Sequence, residues 1–129
     1  MPVRYVIDKE HRLVISIGEG SVTYREVRDH QDQLLRDPDF DATFNQLADA
    51  TIATRFDMSA EEARQIALRV IFSPTSRRAF VAAQPAIYGL GRLMEVHHER
   101  HGQAQVFYDR DSALKWLGIN GINEDSSHC

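Results

Sequence analysis

The stretch from Phe44 to Leu68 constrains this chain more than any other. Phe44-Asn45-Gln46-Leu47-Ala48 reads as a short buried strand that ends in Asp49. Ten residues later Ser59-Ala60-Glu61-Glu62 opens a helix, with Ser59 as N-cap and Glu62 three positions on to complete a capping box. A strand that ends in an acid, then a loop, then a capped helix is the repeating unit of an α/β sheet. Its C-terminal edge is where such sheets gather binding groups.

The flanking sequence repeats the alternation. Tyr5-Val6-Ile7 and Leu13-Val14-Ile15-Ser16-Ile17 are strand candidates joined by a short polar connection, so they predict a hairpin, with Gly18-Glu19-Gly20 ending the second strand. Thr23 and Glu26 form a second capping box, flanked by Val22 and Val27 at the staple positions. The helix they open runs to about Arg36 with Val27, Leu34 and Leu35 inward, and Pro38 stops it. The Ser59 helix is expected to reach about Ile71. Arg78 to Ala83 is the next strand, and its unbroken Ala79-Phe80-Val81-Ala82 run suits burial on both faces of a parallel sheet. Pro85 fits the first position of a third helix. Gln103 to Tyr108 is a fifth strand. Asp109 or Asp111 caps a last helix, which carries Ala113, Leu114 and Leu117 inward and closes at Gly118.

The expected order is β-β-α-β-α-β-α-β-α: an α/β fold with a mixed, mostly parallel five-stranded sheet and four flanking helices. The pattern leaves open whether the helices cover one face or both. At 129 residues the chain suits one domain, placed at 1–118, with a polar and flexible tail over 119–129.

Composition narrows the function classes. Hydrophobic residues make up 43%, enough for a core, while a net charge of -4 argues against a nucleic-acid surface. No apolar run approaches the length of a membrane span, and no secretory leader is expected. The lone Cys129 excludes an internal disulfide and points to a reducing, cytoplasmic setting. A charge this small leaves a homodimer open.

The landmarks, taken in order, resemble the STAS domain fold of anti-sigma-factor antagonists, the SpoIIAA-like group, over about Val3 to Gly118. More closely, the chain resembles a family of small bacterial proteins labelled STAS/SEC14-like. The residues that carry this are Val22-Thr23-Tyr24, Asp37-Pro38-Asp39-Phe40, Leu47-Ala48-Asp49, Arg77-Arg78-Ala79, Tyr88-Gly89-Leu90-Gly91-Arg92 and Ala113-Leu114-Lys115-Trp116-Leu117. The resemblance implies a non-enzymatic regulatory module that binds a protein partner. Its SEC14-like side implies a carrier or sensor of a small apolar, lipid-like ligand. Anti-sigma antagonists carry Asp-Ser-Ser-Gly before their second helix, with one serine phosphorylated. Asp57-Met58-Ser59-Ala60 stands there in this chain, keeping the acid and one serine.

The candidate site residues are therefore Asp49, Asp57 and Ser59 as a partner-binding or phospho-acceptor region, and Arg77, Arg78 and Arg92 as anion contacts. Simpler roles compete. Ser59 is accounted for by its cap, with Glu61 and Glu62 set against an added phosphate. Asp49 is accounted for by a turn bond to the backbone of Thr51. Arg77 and Arg78 alternate across the sheet, so one at most faces a given side. His97, His98 and His101 lack a third ligand and the HExxH frame, so no metal is expected. Gly89-Leu90-Gly91 follows no strand and is no dinucleotide fingerprint; tight helix packing is its expected use. No nucleophile–base pair and no G-x-S-x-G turn stand out, so neither catalysis nor a cofactor is expected.

Overall fold

The computed structural model describes residues 3–98 and 103–119. Its elements are β1 (Val3–Asp8), β2 (Leu13–Thr23), α1 (Tyr24–Arg36), β3 (Asn45–Asp57), α2 (Ala60–Leu68), β4 (Arg77–Val81), α3 (Pro85–His98), β5 (Gln103–Phe107) and α4 (Arg110–Trp116). The strands form one sheet in the order β1-β2-β3-β4-β5. The hairpin pair β1–β2 is antiparallel and the other three pairings are parallel. His101 and residues 120–129 of the tail expected over 119–129, Cys129 among them, lie outside the described residues; so do the side chains of His97 and His98.

The topology decides what the pattern left open. The crossovers β2→β3, β3→β4 and β4→β5 all step the same way across the sheet. Right-handed connections then place α1, α2 and α3 on one face. Only α4, which follows the last strand, folds back on the other. There Ala113, Leu114 and Leu117 bury against Leu13, Ile15, Leu47, Ala79 and Val81. A Schellman motif ends this helix: Gly118 N–H donates to Lys115 O and Ile119 N–H to Leu114 O, with Gly118 at φ 75°. Ile119, expected at the start of the tail, is buried in the same cluster.

The three-helix face holds two separate apolar clusters. One gathers Val14, Leu34, Phe44, Ile71 and Phe72. The other gathers Val22, Ala50, Ala53, Ala82 and Ile87. They do not merge, and the gap between them is the site described below.

Two strands run well past their expected ends. β2 passes Gly18-Glu19-Gly20 and continues to Thr23, with register shifts between Ile17 and Glu19 and between Gly20 and Ser21. Gly20 takes φ 64°, which its missing Cβ permits. β3 does not stop at Asp49 but extends to Asp57, pairing Arg55 with Ser21 and Phe56 with Val22. β4 accompanies β3 only as far as Asp49, so the β2–β3 pair projects beyond the sheet. The irregular burial of Ala50 to Arg55 breaks the period of two, which hid this strand in the sequence. The second helix is also shorter than expected. Arg69, at its C-cap, leaves the helix to bond Asp32 Oδ1 at 2.5 Å, and Ile71 and Phe72 drop into the core as extended chain. Smaller differences fall at strand ends: β4 starts one residue earlier, and β5 stops before Tyr108, which stacks on Tyr88.

Candidate functional site

A cavity of about 110 Å³ lies between the sheet and the three-helix face. Its floor is made of small residues, Gly18 on β2 and Ala48 and Ala50 on β3. Larger apolar side chains rise around it: Leu34 from α1, Ile66 from α2, Phe80 from β4, with Phe72 and Phe56 also lining it. Small residues at these three floor positions leave room between the sheet and the helices, and this space separates the two clusters.

One wall of this otherwise apolar space is polar. Ser16, Gln46 and Arg78 sit on neighbouring strands and face the helices, with Gln46 and Arg78 directly opposite in the β3–β4 register. Arg78 Nε–H donates to Gln46 Oε1 at 3.1 Å. A guanidinium only donates, so this bond fixes the orientation of the Gln46 amide. Gln46 Nε2–H then donates to Ser16 Oγ at 3.0 Å. Ser16 Oγ lies 2.9 Å from His30 Nε2 on α1. Giving the hydroxyl proton to Nε2 places the ring proton on Nδ1 and leaves one group unsatisfied; the other tautomer leaves two. The four side chains thus form a relay in which every bond points from Arg78 toward His30.

The electrostatics agree with neutral histidine. Burial, then the nearby Arg78 charge, pull the His30 pKa down to about 4. His30 is 7% exposed, and its Nδ1 is buried with no hydrogen-bond partner among the described residues. Burial also pulls Arg78 down to about 10, which leaves it cationic at neutral pH. Its guanidinium lies 4.8 Å over the Phe72 ring, so stacking and the Gln46 bond hold it at the cavity wall.

The sequence-derived candidates separate in space. Asp49 is buried on the α4 side, where Oδ1 accepts Thr51 N–H at 2.9 Å, the expected turn bond, and Oδ2 accepts Arg110 Nη1 at 2.8 Å. Asp57 and Ser59 lie at the far tip of the β2–β3 projection, roughly 25 Å away at the ordinary rise of a strand. Asp49 therefore does not share a patch with them, because the loop assumed to join them is strand. Asp57 pairs with Arg55 at 3.1 Å on the surface. Ser59 caps α2: Oγ accepts Glu62 N–H at 3.1 Å and Glu62 Oε1 accepts Ser59 N–H at 2.9 Å.

The three arginines do not converge. Arg77 points to the α4 face, donates to Trp116 O at 2.7 Å and lies over the Trp116 ring. Arg92 is exposed on α3 and sits 3.5 Å from Glu95. Only Arg78 lines the cavity. The tight packing expected of the glycine pair holds at Gly91, where a Cβ would meet Val106 Cγ2 at 2.7 Å, while Gly89 faces open space.

A grouping of Asp8, Glu10 and His11 on the hairpin turn is spent on the turn itself. Asp8 Oδ1 accepts His11 N–H at 3.1 Å, and Asp8 Oδ2 lies 2.8 Å from His11 Nδ1.

Sequence reasoning missed Ser16, Gln46 and His30. A signal was present for the first two: each is a polar residue inside an apolar strand run, where burial demands a partner.

No protein-family model and no curated protein matches the chain. Among solved structures, it is similar to an uncharacterized protein from the DUF3478 family with a SpoIIAA-like fold, from Shewanella loihica PV-4. The likeness has a TM-score of 0.55 at 17% identity and covers 89% of this chain and 91% of that one. At this identity it speaks to the fold alone. The chain has the SpoIIAA-like α/β fold. None of the described helices is long and apolar enough to cross a membrane.

Proposed function

We propose that this protein is a non-enzymatic carrier or sensor of a small apolar, lipid-like ligand held between the sheet and the three-helix face. The observation that carries this reading is the cavity of about 110 Å³ floored by Gly18, Ala48 and Ala50. Small residues at these positions keep open a space that a larger side chain at any one of them would fill with packing contacts. A dry apolar cavity of about 150 Å³ is enough to take up benzene, so a space on this scale suits a ligand of about six carbons. Native mass spectrometry of the protein from bacterial cells, followed by solvent extraction, tests the reading. A small bound molecule is expected. A protein that comes out empty, and whose melting point does not move with small hydrocarbon probes, would rule it out.

A second reading is a regulatory protein-binding module. It is favoured by the exposed tip that carries Asp57 and Ser59 at the start of α2, a helix N-terminus that suits an anionic partner. Pull-downs from a bacterial lysate with the wild type and Ser59→Glu address it. Recovery of one partner, altered by the substitution, is expected, and no specific capture by either would exclude it.

A further inference from the structure

The relay on the cavity wall fixes the polarity of its last atom, and that polarity says what chemistry a ligand must bring. This inference rests on the cavity being a ligand site. His30 lines the cavity, and its buried Nδ1–H has no acceptor among the described residues. From this we infer that the ligand is a small neutral carbonyl compound, with an apolar body of about six carbons over Ala48 and Ala50 and a carbonyl oxygen that accepts from His30 Nδ1.

The polarity is set at the far end of the relay. Arg78 Nε–H donates to Gln46 Oε1, so the Gln46 amide presents its N–H to Ser16 Oγ. The Ser16 hydroxyl proton goes to His30 Nε2, 2.9 Å away, and the ring carries its own proton on Nδ1. Burial, then the nearby Arg78 charge, keeps the ring from taking a second proton at neutral pH. His30 is thus an uncharged donor at Nδ1. A donor buried without an acceptor is costly, and an oxygen supplied by the ligand removes that cost. Charge is not what this wall calls for. Asp49, which accepts from Thr51 and Arg110, and Glu95, whose Oε2 accepts Val106 N–H at 2.6 Å, both line the same space. An anion brought here would lose its water beside two carboxylates. An alcohol accepts as a carbonyl does, but it adds an O–H that needs an acceptor in turn. A carbonyl oxygen only accepts, which answers a single donor in apolar surroundings.

The test is calorimetric titration of the whole protein with butyl methyl ketone, hexanol, hexanoate and hexane, repeated in His30→Gln and His30→Asn. The infrared carbonyl stretch of the bound ketone is a second readout, and it needs no variant. The Asn amide takes the place of Nδ1, whereas the Gln amide takes that of Nε2. Among the three oxygen-bearing probes the ketone is expected to bind best to the wild type, with its stretch lowered from the value in an apolar solvent. His30→Gln should weaken the ketone by about tenfold, leave hexane unchanged and return the stretch to its unbonded frequency. His30→Asn, which keeps a donor near Nδ1, should retain more of the ketone affinity than His30→Gln. Tighter binding of hexanol or hexanoate, ketone binding untouched by His30→Gln, or an unshifted stretch in the wild type would each overturn the carbonyl assignment while leaving the cavity as a ligand site. Binding of none of the four to the wild type would overturn the carrier reading and this inference together.

Discussion

His30 is the residue on which stability should turn with pH. Its folded pKa, about 4, lies below the ordinary 6.5, so the unfolded chain takes up the proton first as pH falls. The stabilisation from keeping it neutral is complete above about 6.5 and is lost progressively down to about 4, by an amount on the order of 3 kcal/mol. Asp32, Asp37, Asp41 and Asp109 are held low by hydrogen bonds, so their contributions fade only below the ordinary carboxylate range. Urea midpoints at about pH 7 and about pH 5 should therefore diverge in the wild type and draw together in His30→Gln; parallel losses in both proteins would show that another group is responsible. The glycines give a second contrast at this scale. Gly91→Ala drives a methyl into Val106 and Phe80 and should cost about 1–3 kcal/mol. Gly89→Ala meets nothing and should stabilise by up to about 1 kcal/mol, as helix propensity alone dictates. Thermal melts that rank these two the other way would contradict the close approach of α3 to the sheet.

The elements divide by how local their causes are. α1 and α2 begin where the sequence says, because a capping box is complete within four consecutive residues, and both boxes are formed. Thr23→Ala and Ser59→Ala should each lower stability by about 1 kcal/mol, with faster amide exchange confined to the first turn of the helix concerned. An unchanged urea midpoint in Ser59→Ala would mean that the cap does not account for that serine. Strand ends were less legible. Nothing within Thr51 to Asp57 announces a strand, since its exposed Ile52 and Thr54 give no alternation. It forms because β2 runs alongside from Glu19 to Thr23, after two shifts of register, and supplies its hydrogen bonds. The end of α2 is likewise decided from outside, by Asp32 of α1 drawing Arg69 out of line.

For the whole molecule the consequential feature is the cavity between the sheet and the three-helix face. Ligand that enters only the folded state raises stability by mass action, about 2.7 kcal/mol at a hundred times the dissociation constant. Melting temperature should rise with the concentration of a six-carbon probe in the wild type and stay flat in Ala48→Leu, whose side chain occupies the same volume. A rise of equal size in both would place binding elsewhere on the surface. The candidate list drawn from sequence holds Arg78 but joins it to Arg77 and Arg92, which face other directions. Strand alternation was enough to divide Arg77 from Arg78; it was not enough to show what stands beside Arg78.

By itself the sequence determined the order of elements, the starts of α1, α2 and α3, the closure at Gly118 and the separation of neighbouring residues to opposite faces. All of these are set by periodicity or by bonds between residues a few positions apart. Only the tertiary structure decided the cavity and its polar wall. Ser16, His30, Gln46 and Arg78 meet across 14 to 32 residues of chain. Their bonds depend on the lateral register of three strands and on the height at which α1 crosses them. The space is floored by small residues from two strands, Gly18 of β2 and Ala48 and Ala50 of β3, brought under the same helices by the fold. No local pattern carries those distances, and they are what make Arg78 a cavity residue instead of one more arginine at a strand end.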